Sequence, residues 1–263
     1  MSLNTTRHNP CPVCGKDGCS YTRDKTAVMC RRVEEGSVKP IGSWAWLHRL
    51  EDRPEEQRMV VSLPRKPKPP LPEAGMIARD AYAAMHDTMR EQLAIELGLS
   101  AQSLTALGVG YSRRDAAYTF PMRMANGKIC GIRLRSIEDG SKYAVKGSRA
   151  GLFIPNQQRR NNLWICEGPT DTAALHGLGF CVIGRDCCTG GREDISLYIK
   201  RHSPTNIIIV ADPDEPGQKG AASLRAYLGR GRIVTPPAKD VRAWVGSGAG
   251  RHDVMSLIEG GAA

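Results

Sequence analysis

Acidic side chains follow two apolar runs that have the composition of buried strands. The run at residues 163–166 ends in Glu167, and the run at residues 206–211 ends in Asp212-Pro-Asp214; a helix-like segment follows each. Because parallel strands of an open α/β sheet bring their carboxyl ends to one edge, we expect these three acids to lie together. Carboxylates so placed repel one another unless a cation joins them, and oxygen ligands favour Mg²⁺ or Mn²⁺. The pattern predicts a divalent-metal site for phosphate chemistry; capping of a helix or pairing with Arg is the alternative for each acid.

Four of the nine cysteines have the spacing of metal ligands. These are Cys11, Cys14, Cys19 and Cys30. Cys11-Pro-Val-Cys14-Gly is a C-x2-C knuckle, and four thiolates predict one structural zinc that supplies most of the folding energy of a small module. A second knuckle would place a cysteine where Val33 stands, so His8, and more remotely His48, compete with Cys19 for the remaining ligand position.

The composition limits the class of protein. The chain has 263 residues, a formal net charge of +10 and a pI of about 9.3, values that suit a polyanionic partner without proving one. It has neither an apolar run of membrane-spanning length nor an N-terminal signal core, so we expect a cytoplasmic protein.

Changes of composition along the chain predict its domains. Residues 1–50 form the zinc module, closed by a helix at 43–50. Trp44 and Trp46 are expected to pack in its core, with stacking on bases as the alternative. Residues 51–75 are a Pro-rich linker that works as a semi-extended spacer. Residues 76–160 form a basic mixed α/β subdomain, and residues 161–263 a second α/β domain, with a largely parallel sheet, and the C-terminal tail.

Local patterns predict the elements of the body. A helix spans 76–97 and ends at Gly98, and a shorter one at 100–107 is capped by Ser100. A hairpin at 117–135 turns at Asn126-Gly127 with type I′ geometry. Its second strand begins a basic face for which contact with a polyanionic partner and ordinary solvation are both open. That face consists of Arg133, Arg135, Lys142, Lys146 and Arg149.

The acidic motifs resemble a known family. Ile-Cys-Glu167-Gly-Pro-Thr-Asp171 and Val-Ala-Asp212-Pro-Asp214-Glu-Pro-Gly are similar to the Toprim domain shared by topoisomerases, primases, and some small nucleases and repair clamps. That resemblance implies a Mg²⁺ or Mn²⁺ site at Glu167, Asp212 and Asp214, with Asp240 as an additional carboxylate. For Asp240 a helix N-cap remains an equal alternative. The strand-gating domains of a topoisomerase do not fit in this length.

The middle of the chain extends the resemblance. The stretch is similar to the N-terminal half of the RNA-polymerase core of DnaG-type and phage primases, and the cysteine knuckle precedes it in the primase order. The similar segments are Gly108-Val-Gly110-Tyr, Asn126-Gly-Lys128, Gly131-Ile-Arg-Leu-Arg135 and Lys142-Tyr143. By this resemblance Arg135, Lys142 and Lys146 would lie at the mouth of the catalytic cleft and contact template or nucleotide phosphates. Arg133 and Arg149 are expected to bind nucleotide or template with them.

The primase resemblance implies synthesis of RNA primers from ribonucleoside triphosphates on single-stranded DNA, with one zinc and catalytic Mg²⁺ or Mn²⁺. It also implies a bacterial or phage-infected cell and a separate replicative helicase, since the chain has no G-x-x-x-x-G-K-[ST] loop for a fused one. A non-catalytic Toprim and zinc clamp that binds DNA and a small Toprim nuclease are the alternatives.

Overall fold

The computed structural model describes residues 4–50, 69–157 and 161–259. The chain divides into two compact units, Met1–Arg65 and Lys66–Ala263. Most of the predicted Pro-rich linker, residues 51–68, lies outside the described residues. The predicted boundary at residue 160 stays a prediction; both of its sides belong to the second unit. Among the described helices, none combines the length and the apolar composition that a membrane crossing requires.

The first unit contains a small antiparallel sheet. Its strands are β1 (Ser20–Tyr21), β2 (Ala27–Cys30), β3 (Lys39–Ile41) and β4 (Ala45–Arg49), in the order β1-β2-β4-β3. The helix predicted at 43–50 is wrong, because this segment forms the central strand β4 and pairs with both β2 and β3. A short apolar run does not separate helix from strand, and here two neighbouring strands decide. Core packing was also wrong for Trp44, which is 47% exposed beneath the Arg31 guanidinium.

Three helices open the second unit: α1 (Ala74–Ala84), α2 (Asp87–Leu97) and α3 (Ala101–Leu107). The single helix predicted over 76–97 is wrong, because the chain is extended at Met85 and His86 and starts a new helix at Asp87. Arg90 stabilises this break, since its guanidinium donates to the Met85 carbonyl (3.3 Å) and to the Asp87 carboxylate (2.8 Å). The predicted ends at Gly98 and Gly108 are confirmed, as both glycines are left-handed.

A nine-stranded mixed sheet forms the centre of the second unit. Its strands are β5 (Gly110–Ser112), β6 (Ala117–Arg123), β7 (Ile129–Ser136), β8 (Lys142–Ala144), β9 (Leu152–Phe153), β10 (Asn162–Glu167), β11 (Val182–Arg185), β12 (Asn206–Val210) and β13 (Arg232–Val234). The order is β13-β12-β10-β11-β9-β6-β7-β8, with β5 beside β6. The strands β10 to β13 are parallel, as predicted for residues 161–263, and the strands from β9 onward are antiparallel. The mixed α/β fold is therefore confirmed, although one continuous sheet joins the two predicted halves.

Helices cover both faces of the parallel strands. They are α4 (Gly168–Gly177), α5 (Arg192–His202), α6 (Glu215–Leu228), α7 (Val241–Gly246) and α8 (Arg251–Glu259). Alternate residues of each strand face opposite cores: Ile165 and Ile209 pack with α5 and α6, whereas Trp164 and Ile208 pack with α4, α7 and α8. Burial on both faces explains why these strands are apolar runs without alternation.

The β6–β7 hairpin is confirmed, but its type I′ turn is wrong. That geometry needs positive φ at both central residues, and of Asn126 and Gly127 only the glycine has it (87°). The turn instead runs over four residues, with the Gly127 N–H donating to the Met124 carbonyl (2.8 Å) and the Asn126 side chain accepting from the Lys128 N–H (3.0 Å). The Asn side chain thus stabilises a longer loop.

Candidate functional site

The first unit gathers four sulfur atoms. The Sγ atoms of Cys11, Cys14, Cys19 and Cys30 all lie within 4.8 Å of one another. The Cys14 and Cys19 sulfurs are 3.7 Å apart, and tetrahedral zinc with Zn–S bonds of about 2.3 Å separates its ligands by about 3.8 Å. Gly15 makes the knuckle possible, since its φ of 68° allows its N–H to donate to the Cys11 carbonyl. The cluster could hold one zinc ion.

Neither competing histidine joins this cluster. His8 is exposed, and the Nε2 of the buried His48 lies 2.8 Å from the Val33 carbonyl oxygen. Among the described residues, the cysteines form the only group of three or more His, Cys, Asp or Glu side chains with ligand atoms this close together. The geometry therefore favours Cys19 as the fourth ligand.

The charges around the sulfurs suit a cation. Burial raises the pKa of Cys14, but hydrogen bonds from the Lys16 backbone and from Arg32 lower that pKa to about 6. Burial and the neighbouring sulfurs raise the pKa of Cys19 to about 12. Four thiols this close cannot all ionise without a compensating charge, which zinc supplies. Arg32 lies 3.7 Å from both the Cys14 and Cys19 sulfurs, so its guanidinium contacts the cluster.

In the second unit, three parallel strands end at one edge of the sheet. Glu167 ends β10, directly beside Arg185 at the end of β11, and Asp212 follows β12 on the other side. Burial, followed by the charge of Glu167, raises the pKa of Asp212 to about 6, and burial also raises the pKa of Glu167. Both side chains line one cleft, so these acids lie near one another. They do not meet at a single point, because no three acidic groups among the described residues have oxygens within 4.8 Å.

The other two predicted acids cap helices. The Asp214 Oδ1 accepts the Gly217 N–H (2.8 Å) at the start of α6, and the Asp240 Oδ1 accepts the Ala243 N–H (2.6 Å) at the start of α7. Capping, the alternative that the sequence left open, thus occurs at both positions. The second oxygen of Asp240 lies 3.9 Å from the Arg242 guanidinium, and the side chain of Asp214 is exposed.

Asp171 belongs to this edge, although the sequence did not single it out as a site residue. Its side chain is only 4% exposed and accepts the Arg242 N–H (3.0 Å), which ties α4 to α7. Burial, followed by the charge of Asp240, raises the pKa of Asp171 to about 8. The sequence feature that could have identified Asp171 is its position four residues after Glu167, because this spacing places both acids on the same side of the first turn of α4.

Arg185 and Asp186 were also missed. Arg185 ends the short strand β11 and Asp186 follows it, so β11, like β10 and β12, leads into charged residues. The apolar run of β11 is too short to be recognised as a strand from the sequence pattern. Arg185 is 2% exposed, and Asp186 pairs loosely with Arg133 (3.8 Å). One oxygen of Asp186 is buried and has no hydrogen-bond partner among the described residues.

The predicted basic residues divide into two groups. Arg133, Arg135 and Lys142 line the same cleft as the acids, with Arg135 also paired to Glu96 (3.1 Å). Lys146 is exposed and is not part of the cleft lining. Arg149 forms a short ion pair with Asp194 (2.6 Å) that joins the loop before β9 to α5.

We expect Asp194→Asn to destabilise the protein by about 3 kcal/mol, because it leaves Arg149 without its charge partner in a site where both side chains are mostly buried. Urea unfolding measures this change. Glu193→Gln, at the exposed neighbouring position, is the control and should change stability by less than about 0.5 kcal/mol. Equal effects of the two variants would contradict a structural role for the ion pair.

Acids and bases meet in one cleft of about 320 Å³. Its lining includes Phe120, Arg133, Arg135, Lys142, Glu167, Asp171, Asp186, Asp212, Lys239 and Asp240. The antiparallel hairpin supplies the basic wall, and the parallel strand ends supply the acidic wall. A larger cavity of about 590 Å³ includes Asn162 and Asn206 at the opposite ends of the strands, but its described lining holds no acid. The smaller cleft is therefore the candidate site, since it brings acidic and basic side chains of the described residues together. The predicted Asp214 is not part of its lining.

Solved structures share this fold. The structure of the DnaG catalytic core matches with a TM-score of 0.57 and 15% identity over 71% of this chain and 78% of that one. The DnaG primase catalytic domain bound to ssDNA matches with a TM-score of 0.55 and 16% identity, over 71% and 77%. The chain has the fold of a DnaG-type primase catalytic core.

The same primase fold is found in a bacteriophage. A bacteriophage T7 structure, in which primase domains are bound to an RNA/DNA hybrid and dTTP, matches with a TM-score of 0.50 and 19% identity over 63% of this chain and 89% of that one. No family model matches the chain, and no curated protein matches its sequence. The likeness to primases is therefore one of fold, and the chemistry must be argued from the cleft.

Proposed function

We propose that this protein is a DNA primase, which synthesises short RNA primers on single-stranded DNA by metal-dependent nucleotidyl transfer. The observation that carries the proposal is the single cleft in which Glu167 and Asp212 face Arg135 and Lys142. Polymerisation needs both walls, because acids hold cations while bases hold the phosphates of nucleotide and template. A DnaG-type fold and a basic net charge of +10 support the same conclusion.

The acidic wall has the donor set for Mg²⁺ or Mn²⁺. Glu167 and Asp212 supply carboxylate oxygens at the cleft, and one oxygen of Asp186 is buried without a hydrogen-bond partner among the described residues. Asp240 has one oxygen outside its cap, 3.9 Å from the Arg242 guanidinium. Asp214 is exposed outside the cleft lining, and its free carboxylate oxygen is the proposed contribution from the start of α6. All-oxygen ligands of this kind fit these hard cations. When bound there, the metal supplies Lewis-acid chemistry, which lowers the pKa of an attacking 3′-hydroxyl and offsets the charge of a leaving pyrophosphate.

The basic wall positions the anionic reactants. Lys142 is exposed at the cleft and has no ion pair among the described residues, so its ammonium is available to a triphosphate. Arg135 is held by Glu96 and Arg133 by the Asp186 carbonyl (3.3 Å), which fixes both guanidinium groups at the cleft. Because these guanidinium groups are already fixed, aligning the phosphates costs no further side-chain entropy at the moment of reaction. Lys146 and Arg149 lie outside this lining and are not needed for the proposal.

The remaining partners follow from the proposed reaction. The single-stranded template and ribonucleoside triphosphates are the substrates, the RNA primer is the product, and a separate replicative helicase is the proposed source of template. The zinc module, with the exposed Trp44 beneath Arg31, suits contact with DNA.

Primer synthesis tests the proposal directly. The full chain is incubated with labelled ribonucleotides, Mg²⁺ or Mn²⁺, and single-stranded templates that cover all trinucleotides. We expect dinucleotide and longer products that fall at least about a hundredfold in Glu167→Gln, because a metal carboxylate is lost. The control Glu193→Gln, on the surface of α5, should retain the wild-type rate.

Two other results would overturn the proposal. Cleavage of structured RNA without primer synthesis on any template would identify a nuclease. DNA binding with neither reaction would identify a non-catalytic clamp.

A further inference from the structure

A buried arginine lies beneath the acidic wall. Arg185 ends β11, is 2% exposed, and is paired in register with Glu167 on the neighbouring strand. Its Nη1 donates to the Cys188 carbonyl (2.6 Å) and to the Gly220 carbonyl (3.3 Å), whereas its Nε and Nη2 are buried without a hydrogen-bond partner among the described residues. A charged group in this position is costly unless nearby opposite charges compensate it.

The compensating charges are the acids of the cleft. Burial raises the pKa of Glu167, Asp186 and Asp212, and the positive charge of Arg185 opposes the rise in all three. Conversely, these acids are the anions that make a buried guanidinium tolerable. Arg185 lies beside Glu167 across the sheet and directly before Asp186 in the chain, so these opposite charges are neighbours. Among the described residues no carboxylate lies within ion-pair distance of the guanidinium, so the charges act on one another without direct contact.

Arg185 also joins the elements that carry the acids. Cys188, in the loop after β11, accepts from Arg185 through its backbone carbonyl. Helix α6, which begins next to Asp212 and Asp214, packs directly on Cys188: a Cβ at Gly220 would lie 2.3 Å from the Cys188 oxygen. The guanidinium thus holds the β11 end, the following loop and α6 around Glu167.

We propose that Arg185 is a positioning residue and the internal cation of the acidic cleft, whose buried charge offsets the repulsion among Glu167, Asp186 and Asp212 and keeps them assembled without a metal. This inference concerns stability and does not depend on primer synthesis. Arg185 could also stabilise the protein only by linking the loop after β11 to α6 through its hydrogen bonds. Charge compensation differs from this role because it requires negative charges on the neighbouring acids.

A double-mutant cycle separates the two roles. Thermal unfolding is followed by circular dichroism with EDTA present, for Arg185→Met in the wild-type, Glu167→Gln and Asp212→Asn backgrounds. We expect Arg185→Met alone to lower the unfolding temperature on the order of 10 °C. In the Glu167→Gln and Asp212→Asn backgrounds, Arg185→Met should lower the unfolding temperature by less than half as much as in the wild type. The reason is that these backgrounds contain one negative charge fewer for Arg185 to compensate. Arg185→Lys, which keeps the cation, should recover part of the wild-type stability.

The control background is Glu193→Gln, which replaces an exposed acid on α5. There Arg185→Met should lower the unfolding temperature as much as in the wild type. If Arg185→Met lowers the unfolding temperature equally in all backgrounds, the proposal is overturned, and the role of Arg185 is limited to linking the loop after β11 to α6. If Arg185→Met does not fold in the wild-type background, folding in the Glu167→Gln background would support charge balance, and failure to fold in every background would overturn it.

Discussion

Replacing Asp212 by Asn is expected to lower primer synthesis at least about a hundredfold while the protein remains folded. Asp212 lines the cleft directly after β12, which lies between β10 and β13, and in the proposed reaction its carboxylate binds a cation. Burial and the charge of Glu167 raise its pKa to about 6, so the folded protein disfavours the ionised form. Asn is close in shape and uncharged, and the unfolding temperature should stay constant or rise slightly.

Two measurements test this expectation together: the rate of ribonucleotide incorporation and thermal unfolding in EDTA. Asp80→Asn, at an exposed position on α1, is the matched control and should change neither quantity. Full activity of Asp212→Asn would exclude this carboxylate from the reaction. Loss of activity accompanied by unfolding would assign Asp212 a structural role instead.

Replacing Cys19 by Ser is expected to abolish zinc binding and unfold the first unit. The buried core of the first unit consists mainly of the cysteines themselves and Val28. Without metal, little buried apolar surface is therefore left to stabilise the fold of this unit. Structural zinc contributes on the order of 10 kcal/mol to modules of this kind. Because Lys66–Ala263 form a separate compact unit, we expect that unit to remain folded.

Metal analysis of the purified full chain should find one zinc per wild-type protein and none in Cys19→Ser. Limited proteolysis should then degrade the N-terminal residues of the variant and spare the remainder. His8→Ala is the control and should keep its zinc, since His8 is exposed outside the sulfur cluster. Zinc retained by Cys19→Ser and lost in His8→Ala would reverse the assignment of the fourth ligand.

Local sequence patterns identified the elements whose ends are determined by neighbouring residues. Gly98 and Gly108 end helices because only glycine readily adopts the left-handed conformation there, and Ser100 caps α3 with its own hydroxyl. The strands before Glu167 and Asp212 were recognised because burial on both faces makes every residue between their first asparagine and the acid apolar. These short-range causes are visible in a single stretch of sequence.

Other features depended on contacts between distant segments. The apolar stripe over 76–97 continues through Met85, so the break there is visible only through the contacts that Arg90 makes. Segment 43–50 became a strand because β2 and β3 flank it.

The sequence by itself determined the cysteine spacing, the two acidic strand ends and the basic hairpin, because each is written in contiguous residues. Only the tertiary structure decided which of these groups share a cleft, and it added Asp171, Arg185 and Asp186 to the acidic side. A buried charge is stable only where partners from separate strands and helices surround it. No local pattern records those partners, so the charge balance of the site is a property of the folded sheet.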